Sequence, residues 1–341
     1  MRYVLTPQGP FSGLRGFLSP LTWPASQLWS VGAQLRAVQS YRHRLDVPVI
    51  SVGNLQVGGT GKTPMALGLM ARLRDHFGRQ PALVSRGYGR RAHDTHLVRP
   101  DSSVSHSGDE PLLIAQAGFA VAVGPDRVAA ARLAIEQADA NVIVLDDGFQ
   151  QRDLVVDLQL VLWDAARAGS DACLPYGCLR APIRNLRRAD LVVLRRDPGE
   201  AEPPAEPDFG VASMWAGYGD LVFRDVRGVR VAPPATAVVA AGIGNPERLT
   251  QSLRRSGVVI AGRVALPDHC VWDERDCERV RVTLSQCKAD ALVITAKDAV
   301  KRSDWDTLFL QPVRVAEAKF GPCTPQDLAQ LDTLLESVWQ T

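Results

Sequence analysis

The stretch "VPVISVGNLQVGGTGKTPM", residues 47–65, constrains this chain more than any other. A short apolar, β-rich run leads into a turn holding Gly58, Gly59 and Gly61, and the helical pattern "KTPMALGLMARLRDHFG" follows at once. Glycines between a strand and a helix let backbone N–H groups face phosphate oxygens, with the positive end of the helix dipole behind them. In that context Lys62 reaches the β- and γ-phosphates of a nucleotide, and the Thr63 hydroxyl falls on Mg²⁺. The usual spacing, G-x-x-x-x-G-K-[ST], wants a glycine where this chain has Gln56. A glutamine fits if the backbone there does not need positive φ. The nucleotide-binding set is therefore Gln56, Val57, Gly58, Gly59, Thr60, Gly61, Lys62 and Thr63.

Further apolar runs, "PALVS", "FAVAVG", "NVIVLDD", "LQLVLWD" and "ADLVVLRR", alternate with helical segments. That rhythm predicts an α/β fold: a P-loop NTPase-like doubly wound parallel sheet with a second, smaller α/β domain. A length of 341 residues suits two domains. The expected division is an N-terminal amphipathic region at 1–45, a P-loop core at 46–200, a linker and β-ribbon at 201–234, and the smaller domain at 235–341. The linker rests on the proline-rich, acidic "RRDPGEAEPPAEPDFG", and "DLVFRDVRGVRV" reads as a ribbon joining the two lobes.

With 46% hydrophobic and 22% charged residues the chain is of ordinary globular composition, and a net charge of +2 argues against a nucleic-acid partner. Arg180, Arg184, Arg187, Arg188, Arg195 and Arg196 form a local basic run suited to phosphate groups, to an anionic membrane surface or simply to solvent. The six cysteines include no C-x-x-C pair and read as reduced thiols. His93, His96 and His106 lie in a polar stretch without metal-ligand spacing and read as loop histidines. No signal peptide and no membrane-spanning run is evident. In the first region Leu28, Val31, Leu35 and Val38 recur at helical spacing beside Trp23, Trp29, Arg36, Arg42 and Arg44. This pattern suits a helix lying in a membrane interface, or one packed on its own domain.

Asp146 and Asp147 end the buried run "NVIVLDD", where a second magnesium-handling element belongs. Phosphoryl transfer to an alcohol also needs a base near the acceptor. "SGDEP" offers Asp109 and Glu110, and "LPDHC" offers Asp268 and His269. A carboxylate from one lobe and an imidazole from the other would complete such a site on closure.

The motifs "PLTW", "VPVISVGNLQVGGTGKTP", "SRGYGR", "GDEP", "VGPDR", "VIVLDDGFQ", "LPYGCLRAP", "GIGNPERL", "LPDH" and "ITAKDAVK" span nearly the whole chain. In that order they make the sequence similar to the tetraacyldisaccharide 4'-kinase (lipid A 4'-kinase) family. The resemblance implies a two-lobed enzyme using ATP and Mg²⁺, acting on a lipid A disaccharide precursor. It also implies a peripheral position on the cytoplasmic face of the bacterial inner membrane; no obligate protein partner is evident in the sequence. It assigns Asp109 as catalytic base with His269 as its partner, beside Lys62. It assigns Thr63, Glu110, Asp146 and Asp147 to the metal, and Tyr88, Arg127, Gln150 and Arg180 to the lipid or phosphate groups. Three positions depart from the family pattern. Gln56 replaces a threonine, Cys270 a histidine or aromatic, and Ala296 a glutamate. The competing reading is a P-loop regulatory or metallochaperone-type NTPase without a lipid acceptor.

Overall fold

The computed structural model describes Ser26 and residues 42–165, 172–196 and 208–340. Apart from Ser26 and residues 42–45, the expected membrane-surface region lies outside the described residues. The chain divides into two compact units, one of residues 1–84, 127–217 and 321–341, the other of 85–126 and 218–320.

Strands and helices are numbered along the chain. In the first unit β1 (Val49–Asn54), β2 (Pro81–Ser85), β5 (Val142–Asp146), β6 (Leu158–Asp164), β7 (Leu191–Arg195) and β8 (Ser213–Tyr218) lie in the order β8-β7-β6-β1-β5-β2. The neighbouring strands in this order pair in parallel. β1, β2, β5, β6 and β7 are buried along their whole lengths, as strands covered on both faces must be. That is why they read as unbroken apolar runs instead of alternating ones. Helix α1 (Lys62–Asp75) follows β1, and α4 (Arg127–Ala138) leads toward β5. The closing helix α9 (Pro325–Ser337) starts in a capping box of Thr324 and Asp327 with proline in its first turn. It returns to this unit through the hydrogen bond from Trp215 N–H to Asp327 at 2.9 Å.

The second unit holds α2 (Val104–Ser107), α3 (Asp109–Gln116) and the antiparallel pair β3 (His96–Leu97) and β4 (Ala120–Val123). Its six-stranded sheet runs β10 (Arg230–Val231), β9 (Val222–Arg224), β14 (Val313–Glu317), β13 (Ala291–Thr295), β11 (Thr236–Ala241) and β12 (Val259–Ala265). β14, β13, β11 and β12 are parallel, and β9 and β10 add an antiparallel edge. Helices α5 (Pro246–Arg255), α6 (Glu274–Cys287), α7 (Ala296–Ala299) and α8 (Trp305–Leu308) belong here as well. One core face centres on Trp272 and Trp305, whose rings meet edge to face with centroids 4.9 Å apart.

These units depart from the consecutive division expected from sequence. Residues 85–126 join the second unit although they lie within 46–200, and 321–341 return to the first. The ribbon around Val222–Val231 pairs with β14 as part of the second sheet and belongs to the second unit. Among the described residues, no helix is long and apolar enough to cross a membrane.

Candidate functional site

The phosphate loop is folded back on the end of β1. Asn54 donates through Nδ2 to the Gln56 carbonyl at 2.6 Å and to Thr60 Oγ1 at 2.8 Å. Gly58 (φ 111°) and Gly61 (φ 96°) take left-handed backbone, and Gly61 caps the helix that opens at Lys62. Gln56 is not among the non-glycine residues of positive φ, so the missing glycine is not needed for conformation. Its side chain has a different task. Nε2 donates to the Asp164 carbonyl at 3.1 Å and Oε1 accepts from the Asp164 N–H at 2.7 Å, clamping the loop entrance to the end of β6. Both bonds are buried, since Gln56 is 1% exposed. The next residue is held by Val57 N–H donating to the Cys178 carbonyl at 2.8 Å.

β5 pairs with β1 so that Asp146 stands opposite Val52. Asp146 is almost fully buried, whereas Asp147 turns out of the strand with φ 52°. Asp147 gathers cations: Arg180 NH1 lies 2.7 and 3.0 Å from its two oxygens, and Lys62 Nζ lies 3.7 Å away. Burial works to raise the Asp147 carboxyl, but Lys62, Arg180 and Arg127 outweigh it and hold it below its ordinary value. Gln150 donates to the Asn54 carbonyl at 2.7 Å, and Arg195 donates to the Gly59 carbonyl at 3.0 Å. Lys62, Arg127, Asp147, Gln150 and Arg180 thus belong to one neighbourhood of the first unit. The basic run is not one uniform face, because Arg180 binds Asp147, Arg195 is buried behind the loop and Arg188 lies 5.0 Å over the Phe149 ring.

Asp109 and His269 meet inside the second unit. Gly108, at φ 88°, turns the chain so that Asp109 opens α3, where its Oδ1 accepts from the Glu110 N–H at 3.0 Å. His269 sits in the loop after β12, itself in left-handed backbone at φ 60°. Its Nδ1 lies 2.9 Å from Asp109 Oδ2 and 3.1 Å from Oδ1. The expectation of one partner from each lobe is corrected by the placement of residues 85–126, which puts both in the same unit. Asp109 is 3% exposed. Burial would raise its carboxyl, yet the hydrogen bond with His269 and the charges of Lys297, His269 and Lys301 hold it below the usual range. The same hydrogen bond raises His269 against the opposing effect of burial. Tyr88, strongly exposed, places its ring 5.6 Å from the imidazole.

The sequence reading missed the support beneath this pair, which comes from "AKDAVK". Lys297 Nζ reaches Asp268 at 3.1 Å, Glu110 at 3.2 Å, His269 Nε2 at 3.3 Å and Asp109 at 3.8 Å. Glu110, expected at a metal, is therefore paired with an ammonium. Burial works to lower Lys297, but Glu110, Asp109 and Asp268 raise it well above the ordinary lysine value. Asp298, fully buried, accepts from Lys301 at 2.9 Å, from Trp272 Nε1 at 3.1 Å, from Thr295 Oγ1 at 2.7 Å and from the Gly242 N–H. Lys301 in turn lies 3.9 Å from Asp109. Of the departures, Cys270 packs against this core with its thiol pushed up to about 11 by burial, and Ala296 opens α7 against the same core. The signal for the support was in a motif already noticed, but its partners are distant in sequence.

The sequence profile described as LpxK, tetraacyldisaccharide-1-P 4'-kinase, matches residues 18–336. The chain belongs to this family. A tetraacyldisaccharide 4'-kinase of Geobacter metallireducens is 42% identical over 277 residues, covering 76% of this chain and 79% of that one. The Geobacter sulfurreducens protein of the same name is 38% identical over 315 residues, covering 89% and 88%. The crystal structure of LpxK from Aquifex aeolicus in complex with ATP superposes with a TM-score of 0.76 at 26% identity, over 95% of this chain and 99% of that one.

Proposed function

We infer that this protein is an ATP-dependent kinase that transfers the γ-phosphoryl group of ATP to the 4'-hydroxyl of tetraacyldisaccharide 1-phosphate, a lipid A precursor. The observation that carries this reading is the Asp109–His269 hydrogen bond of 2.9 Å in a chain of this family. A phosphate loop alone serves any nucleotide hydrolase, whereas transfer to an alcohol needs a placed base.

Lys62, at the head of α1, takes up charge on the β- and γ-phosphates, and the loop N–H groups of Gly58–Gly61 hold the phosphate oxygens. Asp109 accepts the proton of the attacking 4'-hydroxyl. His269 fixes the carboxylate and Lys297 keeps it ionised in a buried setting. Thr63 and Asp146 offer the hard oxygen donors that suit Mg²⁺, with Asp146 at the end of a buried strand. Asp147 fits that ion less well, because Arg180 and Lys62 already balance its charge. When bound, Mg²⁺ neutralises charge developing on the transferred group. Arg180 and Arg127 supply guanidinium charge for phosphate oxygens, and the exposed Tyr88 offers an apolar ring to the acceptor.

An acceptor carrying acyl chains calls for a peripheral seat on the membrane, at the cytoplasmic face where ATP is found. The test offers the purified protein ATP, Mg²⁺ and tetraacyldisaccharide 1-phosphate and follows lipid mass. A bis-phosphorylated product is expected. Nucleotide hydrolysis without any lipid product would overturn the reading in favour of a regulatory NTPase.

A further inference from the structure

We propose that Asp94, His96 and His106 form a binding site for a transition-metal dication of the Zn²⁺ type on the second unit, separate from the kinase chemistry. The three side chains come from different local elements. Asp94 precedes β3, His96 opens β3, and His106 lies in α2. One ligand atom from each falls within 4.8 Å of the others. Asp94 Oδ2 lies 2.9 Å from His96 Nδ1 and 3.5 Å from His106 Nε2. Zinc bonds of about 2.0–2.2 Å set tetrahedral ligand–ligand edges of about 3.3–3.6 Å, so the Asp94–His106 separation already suits a shared ion, while the shorter Asp94–His96 hydrogen bond has to open by a few tenths of an ångström. The two imidazoles are borderline donors that favour zinc-like ions over Mg²⁺, which takes oxygens, and zinc accepts the carboxylate as a third ligand.

The imidazole rings stack with centroids 4.0 Å apart and planes 8° from parallel. A shared ion requires their near edges to tilt together, and His106, with its side chain 47% exposed, has room to do so. The exposed mouth leaves the remaining coordination position to water. The surrounding backbone is fixed by Arg90 NH1 donating to the Asp94 carbonyl at 2.8 Å and by Arg91 N–H donating to the Ser105 carbonyl at 2.7 Å. The Arg90 charge opposes a cation, and the Asp94 carboxylate offsets it. Since α2 runs through Gly108 into Asp109, an ion here ties β3 to the turn that presents the base.

The experiment titrates Zn²⁺ into the full-length protein against a chromophoric chelator, alongside His96→Gln, His106→Gln, the double variant and Asp94→Asn. Circular dichroism confirms that each is folded. The wild type is expected to hold one equivalent more tightly, by about tenfold or more, than each single variant, because losing one of three protein ligands strips a full metal bond. Co²⁺ in place of Zn²⁺ is expected to give d–d bands without thiolate charge transfer, and hydrogen exchange across residues 89–108 is expected to slow on loading. Equal Zn²⁺ binding by wild type and double variant, no Zn²⁺ bound by the wild type, or a thiolate spectrum that points to the cysteines would each overturn the proposal.

Discussion

His269 Nδ1 lies 2.9 Å from Asp109 Oδ2, although the two residues are 160 positions apart in the chain. The bond opposes the effect of burial on both partners, lowering the carboxyl and raising the imidazole. Asp109 is thereby ionised at neutral pH, as its proposed role as base requires. Asp109→Asn is expected to reduce kcat by about 10²–10⁴-fold, the usual contribution of a positioned base. His269→Gln is expected to cost less, because the carboxylate survives, but to move the acid limb of the kcat profile to higher pH. An unmoved acid limb in His269→Gln would show that the imidazole does not tune the base.

The same pair sets a stability window. A lowered Asp109 contributes stability that is present above its unfolded value near pH 4 and is lost as pH falls through the lowered one. A raised His269 contributes stability that is present below about pH 6.5 and is lost as pH rises through its raised value. Because the two titrate together, their joint contribution is greatest between these limits. Thermal melts of wild type and His269→Gln across about pH 2–9 are expected to differ most between about pH 4 and 6.5 and to converge toward both ends, and a constant difference would contradict the linkage.

Lys297 is expected to act through Asp109 and not on substrate directly. Its ammonium faces Glu110, Asp268, Asp109 and His269 within 3.8 Å. Lys297→Met leaves these carboxylates without that cation, so the acid limb is expected to rise by about one pH unit or more. Lys297→Arg keeps the charge and is expected to recover part of the shift. A pure rise in the KM for ATP with an unchanged pH profile would place Lys297 in another role.

The parts of the site that were legible in the sequence are those whose chemistry is local. A phosphate loop needs glycines, lysine and threonine consecutively between a strand and a helix, so Gly58–Thr63 announced itself. The strand ending in Asp146 was legible because burial on both faces leaves an unbroken apolar run. The placement of residues 85–126 was not, because a chain excursion into another unit leaves no mark on periodicity. The Asp298 cluster was equally hidden, since its donors include Gly242, 56 positions away. The grouping of Asp94, His96 and His106 depends on a turn whose closure no spacing rule encodes.

Gln56 shows the same limit and yields the last prediction. Read as a defect in a glycine pattern, it is instead a buried clamp whose amide both donates to and accepts from the backbone of Asp164, 108 residues away. Gln56→Leu keeps much of the volume but leaves the buried Asp164 N–H without its acceptor. Stranding such a group costs about 1–3 kcal/mol. Gln56→Gly restores the familiar motif, yet removes both hydrogen bonds and adds backbone freedom where no positive φ is required. Both variants are therefore expected to unfold at lower denaturant concentration than wild type, and Gln56→Gly is expected to weaken ATP binding because the loop entrance loses its anchor on β6. Denaturant midpoints and ATP titration check this, and a glycine variant that matches or exceeds wild type in both would refute the clamp.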